Sequence, residues 1–331
     1  MPRFFPTRLA LPLLLAALGA HPAAAQSDPS KISGPDACAA CHKLEAAAWQ
    51  EMHHFKTFDE LHRRPEAKDI AGKLGIANIK TESTCVQCHY TSMGPAGAAK
   101  AIAGVSCELC HGASVDWVKV HNDKNNPNHI ADAEKLGFIS PGNIYKLASN
   151  CFQCHTVPNE KLVNTGGHQV GSALELVSWT QGEVRHHFLS GKTNTEDTPE
   201  RKRLLYLIGR VVDLEYSLRG IANAVEKGNF VKGMNVRIVS GKAELQKIAD
   251  ALPDGAAKTD VLAVIAAAPK PAAAADGAGL KITNKDDILA GVKTISALGQ
   301  KMSDTYKGAD LAALDPLIPT ANQGTPYTPA P

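Results

Sequence analysis

The chain has no block of basic residues, no cysteine after Cys154 and no histidine after His187. Its formal net charge is +2, so nothing in the sequence indicates a nucleic-acid partner. Its longest apolar run, Leu9 to Ala20, has about twelve residues, fewer than the roughly 20 that a membrane span needs. The sequence therefore predicts neither nucleic-acid binding nor a stable membrane span.

The first 25 residues have the pattern of a cleaved secretory signal. Arg3 and Arg8 supply the positive charge before the apolar run, and Ala23 to Ala25 supply the small residues before Gln26. An uncleaved anchor is the alternative. Cleavage would remove two arginines and leave the mature chain near neutral.

All eight cysteines lie in four copies of the pattern Cys-x-x-Cys-His. The copies comprise Cys38, Cys41 and His42; Cys85, Cys88 and His89; Cys107, Cys110 and His111; and Cys151, Cys154 and His155. This is the attachment sequence of haem c, in which two thiols bond to the porphyrin and the histidine ligates the iron from one face. Zinc sites built from Cys-x-x-Cys pairs are the alternative. A histidine after every second cysteine favours four covalently bound haem c groups, and no cysteine is left over for a disulfide.

Haem c is attached outside the bacterial cytoplasm, so the motifs and the signal together predict a periplasmic protein. Four haems would replace much of the side-chain core, which suits an aromatic content of only 5%. We therefore predict a mainly α fold, with a haem-packed multihaem cytochrome domain of few strands and short helices, followed by a C-terminal helical bundle. The predicted divisions are a signal peptide at 1–25, a tetrahaem domain at 26–195, a helical region at 196–268, an Ala/Pro/Gly linker at 269–282, a helix at 283–310 and a Pro-rich tail at 311–331.

The C-terminal helices are predicted from caps and apolar spacing. Thr198 as N-cap and Pro199 at the first position begin a helix whose stop is expected at Gly228. A shorter helix is expected from Ala243 to Leu252, and another opens at Thr283. The apolar positions of the last helix are Ile288, Val292, Ile295, Leu298, Met302 and Tyr306. We expect a loose tail, or one that orders only on contact, at the Pro-rich end.

Eight histidines outside the motifs and the signal are candidates for the second axial position on each iron. They are His53, His54, His62, His121, His129, His168, His186 and His187. Eight candidates exceed four positions, so bis-histidine ligation is the default expectation. If residues 43–54 are helical, about 18 Å separates His54 from His42, so His54 must serve another haem or none. About 15 Å would likewise separate His121 from His111.

The order of the motifs resembles that of the cytochrome c-554 family, which comprises tetrahaem periplasmic electron carriers. Trp49 and His54 follow the first motif, and Cys107-Glu108-Leu109-Cys110-His111-Gly112 is followed by His121, as in that family. The resemblance covers roughly residues 35 to 190. It implies that His54 and His121 are distal ligands of other haems in the cluster.

The resemblance implies two further features of the ligation. A histidine after the fourth motif, here His186 or His187, would be a distal ligand, and the haem on His89 would be five-coordinate. Adjacent residues on a helix point about 100° apart, so one iron does not take both His186 and His187; we favour His186. This chain also has His168, and we predict that His168 closes the site on His89, with Met93 as the alternative.

Two functions follow from the ligation. An electron carrier would pass electrons between periplasmic redox proteins, whereas an enzyme would use one five-coordinate haem to convert nitric oxide, hydroxylamine or peroxide. Only the enzyme needs an open position on iron, and the number of histidines favours the carrier. The C-terminal helices are expected to pack on themselves and on the haem domain. Their alternative role is in homo-oligomer formation or in docking a redox partner.

Overall fold

The computed structural model describes residues 28–277 and 279–329. The predicted signal peptide at 1–25 lies outside the described residues. The described chain is mainly helical, and its strands form three short two-stranded antiparallel sheets. This confirms the predicted fold class.

Short helices dominate the part of the chain that carries the motifs. They are α1 (Pro35–Ala39), α2 (Lys43–Glu51), α3 (His53–Glu60), α4 (Pro65–Leu74), α5 (Ser83–His89), α6 (Cys107–His111), α7 (Val118–His121), α8 (His129–Lys135), α9 (Ile144–His155), α10 (Glu160–Asn164) and α11 (Leu176–Thr180). Single 3₁₀ turns lie at Pro29–Lys31 and Leu61–Arg63. The strands are β1 (Thr91–Met93), paired with β2 (Lys100–Ala103), and β3 (Leu189–Ser190), paired with β4 (Thr193–Asn194).

The separations of 18 Å and 15 Å expected after the first and third motifs require continuous helices, and both helices are interrupted in the structure. Met52 is extended (φ −74°, ψ 151°) between α2 and α3, and its side chain is buried. Residues 112–117 lie between α6 and α7, and Gly112 has a φ of +88°. A Cβ at Gly112 would lie 2.2 Å from the carbonyl oxygen of Gly137. That close approach explains the turn after the third motif.

Four long helices form the C-terminal part of the fold. They are α12 (Pro199–Ala222), α13 (Asn229–Ala251), α14 (Ala256–Ala267) and α15 (Lys285–Thr305), followed by a 3₁₀ segment at Ala309–Leu317. The Thr198 hydroxyl accepts the N–H of Arg201, and Pro199 is the first helical residue. The predicted start of α12 is therefore confirmed.

The predicted end of α12 and the predicted start of the following helix were wrong, whereas the predicted end of that helix near Leu252 was right. α12 ends at Ala222, and Gly228 precedes α13 instead of stopping α12. α13 begins at Asn229, well before Ala243, because Phe230, Met234 and Ile238 are buried against α12. Tertiary burial here overrides the low helix propensity of the glycines and valines in this stretch.

The predicted linker at 269–282 contains an antiparallel pair, β5 (Ala273–Asp276) and β6 (Gly279–Ile282). Gly277 has a φ of +55° between the two strands, and Ile282 is buried. α15 begins at Lys285, two positions after the expected Thr283. Five of its six predicted apolar positions are buried and Leu298 is partly buried against them, which confirms the predicted apolar side.

The Pro-rich end is hydrogen bonded to the region just before α12. The carbonyl of Gln323 accepts the N–H of Glu183 at 2.8 Å, and the carbonyl of Tyr327 accepts the side-chain amide of Asn194 at 2.9 Å. These contacts hold residues 323–327 against the segment before α12.

One large core spans the predicted boundary at residue 195. Ile144, Ala148 and Phe152 of α9 are buried in the same cluster as the inner side chains of α12 and α15. Because α9 carries the fourth motif at its C-terminal end, the long helices support that motif directly. The division into domains at 195 stays a prediction.

Candidate haem site

Each motif lies in or at the end of a short helix. The second, third and fourth motif histidines are the last residues of α5, α6 and α9, and Cys38 lies in α1. Residues three and four positions apart lie on one side of a helix. One helical turn therefore presents both thiols and the histidine of a motif in the same direction.

The motifs contact one another in an order that differs from their order in the chain. The Cys38 thiol lies beside that of Cys107, and the Cys88 thiol lies beside that of Cys154. The Asn150 side-chain amide, next to Cys151, donates to the carbonyls of Leu109 and Cys110 at 3.0 and 2.8 Å. The first motif is thus beside the third, the third beside the fourth and the fourth beside the second.

Each of the four motif histidines lies near one histidine from elsewhere in the chain. The distance between the two ring centroids is nearly the same in all four pairs. The ring centroids of His42 and His121 are 6.3 Å apart, those of His89 and His168 6.5 Å, those of His111 and His186 6.3 Å, and those of His155 and His54 6.2 Å. Two imidazoles on opposite sides of one iron, each bonded at about 2.0 Å, have ring centroids about 6.3 Å apart. The four pairs fit a haem iron between their rings.

Hydrogen bonds fix the orientation of several of these imidazoles. The Nδ1 atoms of His111, His121, His168 and His186 bond to backbone carbonyls at 2.9, 2.5, 2.9 and 2.7 Å. A carbonyl only accepts, so Nδ1 carries the hydrogen and the lone pair is on Nε2. Nε2 is therefore the atom available to a metal in each of these four rings.

Burial favours the neutral form of three motif histidines and of His54. Burial is the largest cause, and neighbouring histidines add to it, of a fall in the pKa of His89, His111 and His155 to about 4. Burial also lowers the pKa of His54. A neutral imidazole is the form that binds a metal. Burial thus favours the protonation state that ligation requires in these four rings.

The candidate distal ligands that are not paired with a motif histidine contact other groups. His187 packs against Phe188, with ring centroids 4.2 Å apart, and Nδ1 of His53 lies 2.8 Å from the carboxylate of Glu183. Nδ1 of His129 bonds to the carbonyl of His121 at 2.5 Å. Within the ranges that the structure describes, no ring contact joins His53, His62, His129 or His187 to a motif histidine. Met93 is 41% exposed in β1.

Glu108, inside the third motif, was not identified from the sequence as a site residue. Its side chain is fully buried and accepts three backbone N–H groups, from Ser33 at 2.9 Å, Gly34 at 2.8 Å and Ser114 at 2.9 Å. Gly34 is the N-cap of α1, so this carboxylate holds the first motif against the third. Nothing in the spacing of the motif distinguishes this glutamate from a solvent-exposed one.

In residues 28–277 and 279–329, no group of three or more His, Cys, Asp and Glu side chains is placed to hold a metal ion. None of the helices in the same ranges combines the length and the apolar character that a membrane crossing needs.

Comparison with known families identifies the first three motifs. Residues 37–112 match the family described as cytochrome c554 and c-prime, which confirms the sequence resemblance over that segment. The match contains the motifs that end at His42, His89 and His111, and it supports a c-type cytochrome that binds haem c. No curated protein and no solved structure matches the chain.

Proposed function

We propose that this chain is a tetrahaem c-type cytochrome that transfers electrons between redox proteins of the periplasm. The observation that carries the proposal is the pairing of every motif histidine with one histidine from elsewhere in the chain, at 6.2 to 6.5 Å between ring centroids. The family match over residues 37–112 supports haem c as the cofactor.

The residues present suit four haems. In order of the motifs, the haems would be held by Cys38, Cys41, His42 and His121; by Cys85, Cys88, His89 and His168; by Cys107, Cys110, His111 and His186; and by Cys151, Cys154, His155 and His54. His54 and His121 thus serve haems other than those of their neighbouring motifs. His187 and Met93 have no ligand role in this proposal.

When bound, haem supplies a one-electron couple between ferric and ferrous iron. The chain would supply two imidazoles to each iron, which would leave no position for a substrate. It also draws the motifs together through the thiol contacts and the Asn150 hydrogen bonds. Close packing without an open iron position is what an electron carrier needs.

The enzyme alternative requires an open position on the haem of His89. The ring of His168 lies 6.5 Å from that of His89, where a distal ligand would be. This geometry favours the carrier over an enzyme acting on nitric oxide, hydroxylamine or peroxide. Export by a cleaved signal, with haem attachment outside the cytoplasm, is part of the same proposal.

The proposal is tested on protein purified from a host that attaches haem c. Mass spectrometry should give a chain that begins at Gln26 and carries four covalent haems, and the haems should survive acid-acetone extraction. Electron paramagnetic resonance of the oxidised protein should show low-spin haem only. A colourless zinc protein would overturn the proposal, and a stoichiometric high-spin haem would favour the enzyme.

A further inference from the structure

The fourth motif histidine is bonded to a side chain, whereas the Nδ1 atoms of four other paired histidines bond to backbone carbonyls. Nδ1 of His155 lies 2.7 Å from Oγ of Ser172. The N–H of Ser172 also donates to the carbonyl of His155 at 2.8 Å. Ser172 therefore contacts both the backbone and the ring of His155. This ring orientation depends on a group that a single substitution can remove.

Arg237 of α13 holds Ser172 from the other side. Its Nη1 donates to the carbonyl of Ser172 at 2.9 Å. Gly171 has a φ of +66°, and a Cβ there would lie 2.7 Å from the same Nη1. Val170 packs against α13 at Gly233, where a Cβ would lie 2.4 Å from the Val170 side chain. The segment that presents Ser172 is thus shaped to lie on α13.

Asp213 of α12 holds Arg237 in turn. Nη2 of Arg237 donates to the carboxylate of Asp213, and Nε lies 3.4 Å from the Ser217 hydroxyl. The Arg237 and Asp213 side chains are 15% and 19% exposed. A largely buried ion is costly without its partner, so the pair restricts the guanidinium to one orientation. The contacts run without interruption from α12 through α13 to His155.

We propose that Asp213, Arg237 and Ser172 are positioning residues that orient the His155 imidazole and set the reduction potential of the fourth haem. The inference rests on the proposed function, in which His155 ligates that haem. With Nε2 on the iron, Nδ1 of His155 would carry the hydrogen and donate it to Oγ of Ser172, and such a bond makes the other nitrogen a stronger donor to the metal. A stronger donor favours the ferric state. Residues of the C-terminal helices thereby act on the haem cluster.

The experiment compares variants of the full-length holoprotein. Ser172→Ala removes the hydroxyl and Asp213→Asn weakens the hold on Arg237, while Ser172→Thr keeps a hydroxyl in place. Asp260→Asn is the matched control, because it weakens the Asp260–Lys301 pair (2.8 Å) between α14 and α15 without touching Ser172.

Each protein is titrated spectroelectrochemically, its ferric haems are examined by electron paramagnetic resonance, and its haems are counted as the pyridine adduct. A His54→Ala variant assigns the signal of the fourth haem, because this variant should convert that haem alone from low-spin to high-spin.

Ser172→Ala should shift the reduction equilibrium of one haem by about threefold to tenfold towards the reduced state. Tenfold corresponds to about 59 mV for one electron. The low-spin signal of the fourth haem should change with it. Asp213→Asn should affect the same haem, Ser172→Thr should restore the wild-type potential, and Asp260→Asn should change no haem.

Four haems with unchanged potentials and signals in both Ser172→Ala and Asp213→Asn would overturn the inference and leave the proposed function standing. Fewer than four haems in the wild type would overturn the proposed function itself. Ser172 lies outside the long helices, so we expect Ser172→Ala to fold. If Asp213→Asn does not fold, the potential of the fourth haem in Ser172→Ala alone tests the inference.

Discussion

The phenol of Tyr145 donates a hydrogen bond to the carboxylate of Glu215, with 2.7 Å between the two oxygens. Tyr145 is in α9, ahead of the fourth motif, and Glu215 is a buried residue of α12. The hydroxyl of Ser296 in α15 lies 2.6 Å from the same phenol oxygen. One side chain thus joins three helices of the core.

Tyr145→Phe removes that donor and leaves the buried carboxylate with Arg219 alone. Hydrogen bonds to charged groups are worth more than neutral ones, so we expect a loss of about 2 kcal/mol in the free energy of unfolding. Urea denaturation followed by far-ultraviolet circular dichroism measures it. Tyr327→Phe is the control, since its hydroxyl makes no hydrogen bond within the described residues. Equal losses in the two variants would contradict the prediction.

The stability of the protein should also depend on pH through Glu215. Burial raises the pKa of Glu215 above its ordinary value of 4.5, against the opposing effects of Arg219 and Tyr145. The folded protein then binds this proton more tightly than the unfolded chain does. The resulting stability is fully present below pH 4.5 and is lost as the pH rises through the folded-state pKa.

A Glu215→Gln variant lacks this titration. The free energy of unfolding of the variant minus that of the wild type should therefore increase with pH from about 4.5 upwards and then level off. Denaturation curves at intervals between pH 4 and pH 8 give the difference. A difference that decreases with rising pH would show that the carboxylate is stabilised in its charged form.

His168→Ala should open the haem on His89. We expect one haem of the oxidised protein to become high-spin, and the reduced variant to bind carbon monoxide readily at one site. His62→Ala is the control, because His62 is not paired with a motif histidine in the described structure. Rapid carbon monoxide binding by the wild type, unchanged in the His168 variant, would show that the site is open already.

The adjacent residues His186 and His187 provide a matched pair of variants. His186→Ala should convert one haem to high-spin, because its ring lies 6.3 Å from that of His111. His187→Ala should leave all haems low-spin, because its ring packs on Phe188. Electron paramagnetic resonance of the two oxidised variants distinguishes them. A high-spin haem in His187→Ala, with all haems low-spin in His186→Ala, would show that His187 is the ligand instead of His186.

Glu108→Gln should destabilise the contact between the first and third motifs. The carboxylate accepts three backbone N–H groups, whereas an amide places its own N–H group against at least one of them. We expect a loss of about 3 kcal/mol in the free energy of unfolding, with four haems retained. Glu134→Gln is a comparison outside this contact. A Glu108 variant as stable as the wild type would show that the three N–H groups find other acceptors.

The motifs and the start of α12 were predictable because each depends on a local pattern. Cys-x-x-Cys-His brings its ligands together within one turn, and Thr198 with Pro199 specifies a helix start without any distant contact. The pairing of His54 with His155 is different, because it joins residues about 100 positions apart. Spacing indicated that His54 serves another haem or none, and the family resemblance favoured another haem; the helix assumed for the spacing is broken at Met52.

The errors lie where distant contacts decide local structure. α13 contains Gly233, Val236, Val239 and Gly241, which disfavour a helix in isolation, yet its inner side is buried against α12. No local sequence pattern marks Glu108 as a site residue, because the three backbone N–H groups that bond to its carboxylate come from residues before the first motif and after the third. The positions of such groups follow only from the folded chain.

α9 carries the fourth motif at one end and packs against the long helices along its length. Ile144, Ala148 and Phe152 would face water in any shorter chain that stopped before α12. A relative that lacks α12 to α15 must therefore cover that side of α9 with a different segment, or carry polar residues at those three positions. Comparing these positions among related chains would show which of them cover this side of α9 with helices.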